Sequence, residues 1–164
     1  MKGTELPQEE GRTVVEPIRR SITVNRSIED AFSVFTERFG EWWPLESYSI
    51  VYDNPELKAE TAVIEGREGG RVYERISDGT EAEWGRVLAW SPPDRLVLAW
   101  SPNPEVTVET EIEIRFTSEG PDRTRLDLEH RGWERLGQQA EEARVEYANG
   151  WPIVLGGYER VANG

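Results

Sequence analysis

From Val106 to Phe116 the chain alternates: Val106, Val108, Ile112, Ile114 and Phe116 share one face, while Glu109, Glu111, Glu113 and Arg115 share the other. That is the period-two pattern of a strand with one buried side. The same period fills the middle of the chain. KAETAVIE, RVYERIS, EAEWGRVLAW and RLVLAW read as strands separated by the turns GREGG, SDGT and SPPD. After SEGPD, the run RTRLDLEHRGW sets Leu126, Leu128 and His130 on its apolar face. Ahead of these, PIRRSITVNRS predicts a short strand, and Ser27 caps a helix. Asp30 completes a variant of the capping box, Ile28, Ala31, Phe32, Phe35 and Phe39 recur at helical spacing, and Gly40 ends the helix.

Pro44 and Pro55 break up EWWPLESYSIVYDNPEL, which reads as a helical turn followed by a loop. The last thirty residues return to helical period: Tyr147, Trp151, Leu155, Tyr158 and Ala162 are spaced by four, four, three and four. Pro152 and the pair Gly156, Gly157 predict a kink, or two helices joined near Asn149 and Gly150. The predicted order is strand, helix, six antiparallel strands, long helix. A twisted sheet of that size needs a cover for its apolar face, and a helix laid across it leaves the ends of the groove to large side chains or to a cavity.

Composition sharpens this picture. The chain of 164 residues is sized for one domain, with residues 1–16 expected as a flexible tail and 17–162 as the fold. Seven tryptophans are far more than a chain of this size usually carries, and they are expected to be buried, half-buried or at a binding surface. A net charge of −13 sets the average surface against phosphate backbones and anionic lipid, which argues against nucleic acid and membranes as partners. There is no cysteine, no apolar leader and no 18-residue apolar stretch, so a cytoplasmic location is expected.

The run WGRVLAWSPPDRLVLAW, the strand end LDLEHRGW and the closing YANGWPIVLGGYERV, in that order, resemble the Hsp90-ATPase-activator-homologue-1-like branch of the START/Bet v 1-like (SRPBCC) superfamily. The resemblance implies an α+β helix-grip fold: a seven-stranded antiparallel sheet wrapped around a long C-terminal helix, with short helices after the first strand and a hydrophobic cavity between. Members of the superfamily carry lipids and hormones, cyclise polyketides, or form the C-terminal domain of an Hsp90 co-chaperone. The separate N-terminal domain of that co-chaperone has no counterpart in this sequence, so Hsp90 is not the expected partner. A fold shared by so many activities does not select one.

Candidate chemistry is sparse. His130, the only histidine, is a potential acid/base or ligand anchor at a cavity mouth, or else a structural residue fixing the strand-to-helix turn. Glu74 shares parity with Val72 and Ile76 and so is expected inside; Arg86, by parity with Trp84 and Leu88, is a possible partner. One histidine without cysteine makes a zinc site improbable, and no phosphate-loop, nucleophile-elbow or HExxH pattern occurs. No cofactor is implied. The residues expected around a ligand are Trp42, Trp43, Tyr73, Trp84, Leu98, Ile112, Leu128, His130, Trp151 and Leu155, with Trp90 and Trp100 stacked across the SPPD hairpin and Trp133 structural. The expected activity is binding of a small hydrophobic or aromatic molecule by a monomer or homodimer. A cyclase- or dehydratase-type enzyme and a co-chaperone-like interaction domain are the alternatives.

Overall fold

Seven strands form one antiparallel sheet in a computed structural model that describes residues 15–103 and 107–164. They are β1 (Ile18–Val24), β2 (Ala59–Ile64), β3 (Arg71–Ile76), β4 (Glu81–Ser91), β5 (Arg95–Trp100), β6 (Thr110–Gly120) and β7 (Arg123–Arg131). In space they run β1-β7-β6-β5-β4-β3-β2, so every neighbour but β1–β7 is also a neighbour in sequence. Helices α1 (Ile28–Glu37) and α2 (Phe39–Trp42) connect β1 to β2, and α3 (Ala140–Asn163) crosses the apolar face. The expected tail, except for Val15 and Glu16, and the expected strand position of Val106 lie outside the described residues.

Local chemistry accounts for the elements. Ser27 accepts the Asp30 N–H at 3.2 Å and caps α1, whose Ala31, Phe32 and Phe35 are buried. On α3 the predicted stripe faces the sheet, with Trp151, Leu155, Tyr158 and Ala162 all buried. Tyr158 fixes the crossing by donating its hydroxyl to the Ala31 carbonyl at 2.8 Å.

The C-terminal helix corrects one expectation. It runs unbroken through Asn149 and Gly150, and the break comes earlier, at Gly137 (φ 62°, ψ −126°), inside the 3-10 segment (Trp133–Gln139) that precedes it. Pro152 is accommodated inside the helix because its missing N–H would orphan the Ala148 carbonyl, and Arg20 on β1 donates to that oxygen at 3.0 Å.

Two register shifts explain the other differences. Opposite β3, strand β4 carries Trp84 as an extra residue between the partners of Val72 and Tyr73; opposite β5 it carries Leu88 as another. Each extra residue reverses the faces of those that follow. Arg86 therefore turns outward to Glu109 (2.7 Å) instead of pairing with Glu74. Trp90 turns inward onto Phe32, with ring centroids 5.2 Å apart, and opposes Leu96 rather than stacking on Trp100.

The outer face of the sheet carries ion pairs. Glu113, only 8% exposed, receives Arg95 (2.6 Å), Arg115 (2.7 Å) and Arg131 (2.7 Å). Burial pushes its carboxyl up, but bonds from Arg95 and Arg131 outweigh that and hold it below its ordinary value.

Gly156 and Gly157 look equivalent in sequence but differ in the fold. A Cβ on Gly157 would collide with the Trp42 carbonyl oxygen, whereas a Cβ on Gly156 meets nothing within 4 Å. Gly157→Ala should lower stability by about 2 kcal/mol through forced displacement of α2. Gly156→Ala should raise it by up to about 1 kcal/mol. Urea denaturation of both variants checks the contrast, and equal effects would contradict this packing.

Candidate tryptophan-walled cavity

The N-terminal half of α3, the 3-10 segment, the segment 43–52, Trp84 on β4 and the adjoining ends of β5 and β6 line an open-mouthed cavity of about 560 Å³. Trp84, Trp100, Trp133 and Trp151 form its inner wall, each no more than 4% exposed, and half-buried Trp43 stands in front of them. Their rings pack closely: Trp43 lies 5.2 Å from Trp84 and 5.8 Å from Trp100, and Trp84 lies 5.7 Å from Trp100. Tyr48, Tyr52 and Val108 line the cavity and are also among the exposed large apolar residues. Glu142 and Glu146, both exposed, line it from α3.

The segment 43–52 is held by a buried carboxylate. Glu74, fully buried on β3, accepts the Ser49 hydroxyl (2.5 Å), the Ile50 N–H (2.9 Å) and the Trp84 indole N–H (2.8 Å). Three donors converge on it, so it orders the wall of the cavity without being one of the side chains that line it.

His130 is equally enclosed. It is 0% exposed on β7, behind the cavity wall rather than at a mouth. An indole N–H can only donate, so the Trp151 Nε1 bond of 3.0 Å makes His130 Nδ1 an acceptor. The ring proton is thereby assigned to Nε2, which donates to Thr110 Oγ1 at 2.8 Å, and Thr110 donates on to the Trp100 carbonyl at 3.3 Å. Burial without an anionic partner pushes the imidazole down to about 3. Trp133 donates to the His130 carbonyl at 2.9 Å, which ties the turn into the 3-10 segment.

Of the residues named from sequence, Trp43, Trp84 and Trp151 line the cavity. Leu98, Ile112, Leu128 and Leu155 are in the buried core, and Trp42 is fixed beneath α1 by its bond to the Val34 carbonyl at 3.2 Å. Tyr73 is on the opposite, outer face of the sheet, with the Arg71 guanidinium 4.1 Å above its ring. The period-two pattern carries that placement, since Tyr73 shares parity with Arg71 and Arg75.

Sequence reasoning did not single out Tyr147 for the site. Its hydroxyl accepts the Trp100 indole N–H at 3.1 Å, and its own hydrogen has no acceptor among the described residues. Burial pushes the phenol up to about 12, with the Trp100 bond opposing and Glu146 adding to the rise. Its position one turn before Trp151 was the available signal. Among the described residues no group of three metal-binding side chains gathers, and no helix is long and apolar enough to cross a membrane.

Comparison with known proteins fits this architecture. The family model described as activator of Hsp90 ATPase homolog 1-like protein matches residues 25–160. A solved anthrahydroquino-gamma-pyrone synthase, Txn09, is 33% identical over 90% of this chain and 97% of its own, with TM-score 0.60. The self-sacrificing resistance protein CalC from Micromonospora echinospora is 29% identical over 90% and 94%, with TM-score 0.66. The Aha1 dimer from Colwellia psychrerythraea, 15% identical over 91% and 97% with TM-score 0.61, shares the fold. No curated protein matches the chain.

Proposed function

The chain belongs to the activator of Hsp90 ATPase homolog 1-like family, and from that premise we propose that it binds a flat aromatic molecule in the tryptophan-walled cavity. One observation carries the reading: a space of about 560 Å³ with a mostly apolar lining lies in front of a wall of closely packed indole rings. Apolar burial would drive binding, at about 25 cal/mol per Å² before the costs of association. The Tyr147 hydroxyl would orient the ligand by donating its uncommitted hydrogen. The 33% identity to an anthrahydroquino-gamma-pyrone synthase supports a polycyclic ligand class.

Cyclase-type catalysis is the second reading, favoured by the same synthase. It needs an acid/base inside the cavity. Glu74 and His130 are both sequestered behind the wall, the two carboxylates that do line the cavity, Glu142 and Glu146, stand exposed on α3, and Tyr147 stays protonated at neutral pH. These placements favour binding over turnover. A co-chaperone-like role would call for an exposed apolar patch away from the cavity, whereas the outer sheet face is laced with Arg–Glu pairs.

Tryptophan fluorescence of the folded protein should be quenched saturably by fused-ring quinones and naphthols, at micromolar concentrations, and not by a single-chain fatty acid. A flat response across the aromatic panel would overturn the proposal.

A further inference from the structure

The five indoles around the cavity all direct their N–H groups into the protein. Trp43 donates to the Tyr48 carbonyl (3.0 Å), Trp84 to Glu74, Trp100 to Tyr147, Trp133 to the His130 carbonyl and Trp151 to His130 Nδ1. What they offer a ligand is therefore ring carbon with its π density, and none of their hydrogen-bond donors. Two of the hydroxyls nearby are engaged as well, Ser49 donating to Glu74 and Thr110 to the Trp100 carbonyl, while Tyr147 keeps its hydrogen to give.

Charge points the same way. No lysine or arginine is among the described residues lining the cavity, while Glu142 and Glu146 are. These two sit one helical turn apart, and neither makes an ion pair with a described residue, although like charges at that spacing mildly destabilise a helix. A chain of net charge −13 adds a field of the same sign.

We infer that the cavity is selective for an aromatic ligand bearing a positive charge, such as a protonated amine attached to a fused ring, and discriminates against aromatic carboxylates. The ring would lie against the tryptophan wall, with the ammonium at the mouth between indole π density and the Glu142 and Glu146 carboxylates. This rests on the binding role proposed above and adds the charge of the ligand to it.

Three probes that share one ring separate the two claims: 2-naphthylmethylamine, 2-naphthylmethanol and 2-naphthoate, titrated calorimetrically into the full chain at pH 7 and low salt. The amine should bind about tenfold or more tightly than the carboxylate, with the alcohol between. In a Glu142→Gln/Glu146→Gln variant, both positions being exposed, the amine should lose most of its advantage while the alcohol binds as before. An alcohol that binds as tightly as the amine, or a carboxylate that binds best, overturns the charge selectivity and leaves aromatic binding standing. No binding of any of the three overturns both.

Discussion

Glu74→Ala is expected to destabilise the protein by roughly 3–5 kcal/mol, because it leaves three buried or half-buried donors facing a void. Those donors are the Ser49 hydroxyl, the Ile50 N–H and the Trp84 indole N–H. The loss is concentrated where the cavity is built, since Ser49 and Ile50 belong to its wall and Trp84 to its back. Ligand affinity should fall along with stability. Glu74→Gln separates positioning from chemistry. Its amide oxygen can still accept from Ile50 and Trp84, which both bond to the same carboxylate oxygen, and its NH2 can donate to Ser49. The Gln variant should therefore keep most of the stability and bind ligand normally. If it folded but lost binding as completely as Ala, the carboxylate charge itself would be required, and the positioning role would be wrong. Denaturation midpoints and calorimetric titration of the two variants give both readouts.

Acidification should weaken the fold well above the range where carboxylates titrate. His130 has an ordinary value near 6.5 and is pushed down to about 3 in the folded chain, so between those limits the unfolded state binds more protons. The contribution is fully present above pH 6.5, declines as pH falls, and is exhausted near pH 3. Each unit in that window removes about 1.4 kcal/mol, or about 2 kcal/mol between pH 7 and pH 5. Glu65, Asp78 and Glu113 are held below ordinary values near 4, so they act lower in the scale and leave pH 5–6.5 to the histidine. Tyr147 packs against the ring and Thr110 accepts from it; neither changes charge in that window. Denaturation at pH 7, 6 and 5 should show this slope in the natural protein and a flatter one in His130→Asn. Parallel slopes would mean that the imidazole is not kept neutral.

Much of the architecture could be read from period alone. Ile112, Ile114 and Phe116 alternate cleanly, and the spacing of Tyr147, Trp151, Leu155 and Tyr158 fixed the buried stripe of the long helix. Period two fails where a strand gains a residue. Nothing in EAEWGRVLAW marks Trp84 or Leu88 as the extra one, so Arg86 reads as sharing the face of Trp84 when it does not, whereas Trp90, beyond both extra residues, returns to that face. The helix break followed Gly137 rather than the more conspicuous Pro152, because Arg20, a strand residue 132 positions away in sequence, supplies the donor that the proline lacks. The cavity was legible as an excess of tryptophan but not as a set of positions. Burial of Leu98, Ile112 and Leu128 in the core depends on how the helices pack on the sheet, and an apolar residue reads alike whether protein or a ligand covers it.

The account stands most directly on whether the space in front of the tryptophans is where a ligand sits. Ala143 lines it from α3 and is only half-buried, so Ala143→Phe should project a ring into the space and obstruct it without disturbing the fold. Calorimetric titration of an aromatic ligand that saturates the natural protein should show binding weakened about tenfold or more in Ala143→Phe at an unchanged melting temperature. Equal affinity in the two proteins would place the ligand elsewhere and contradict the cavity as the binding site.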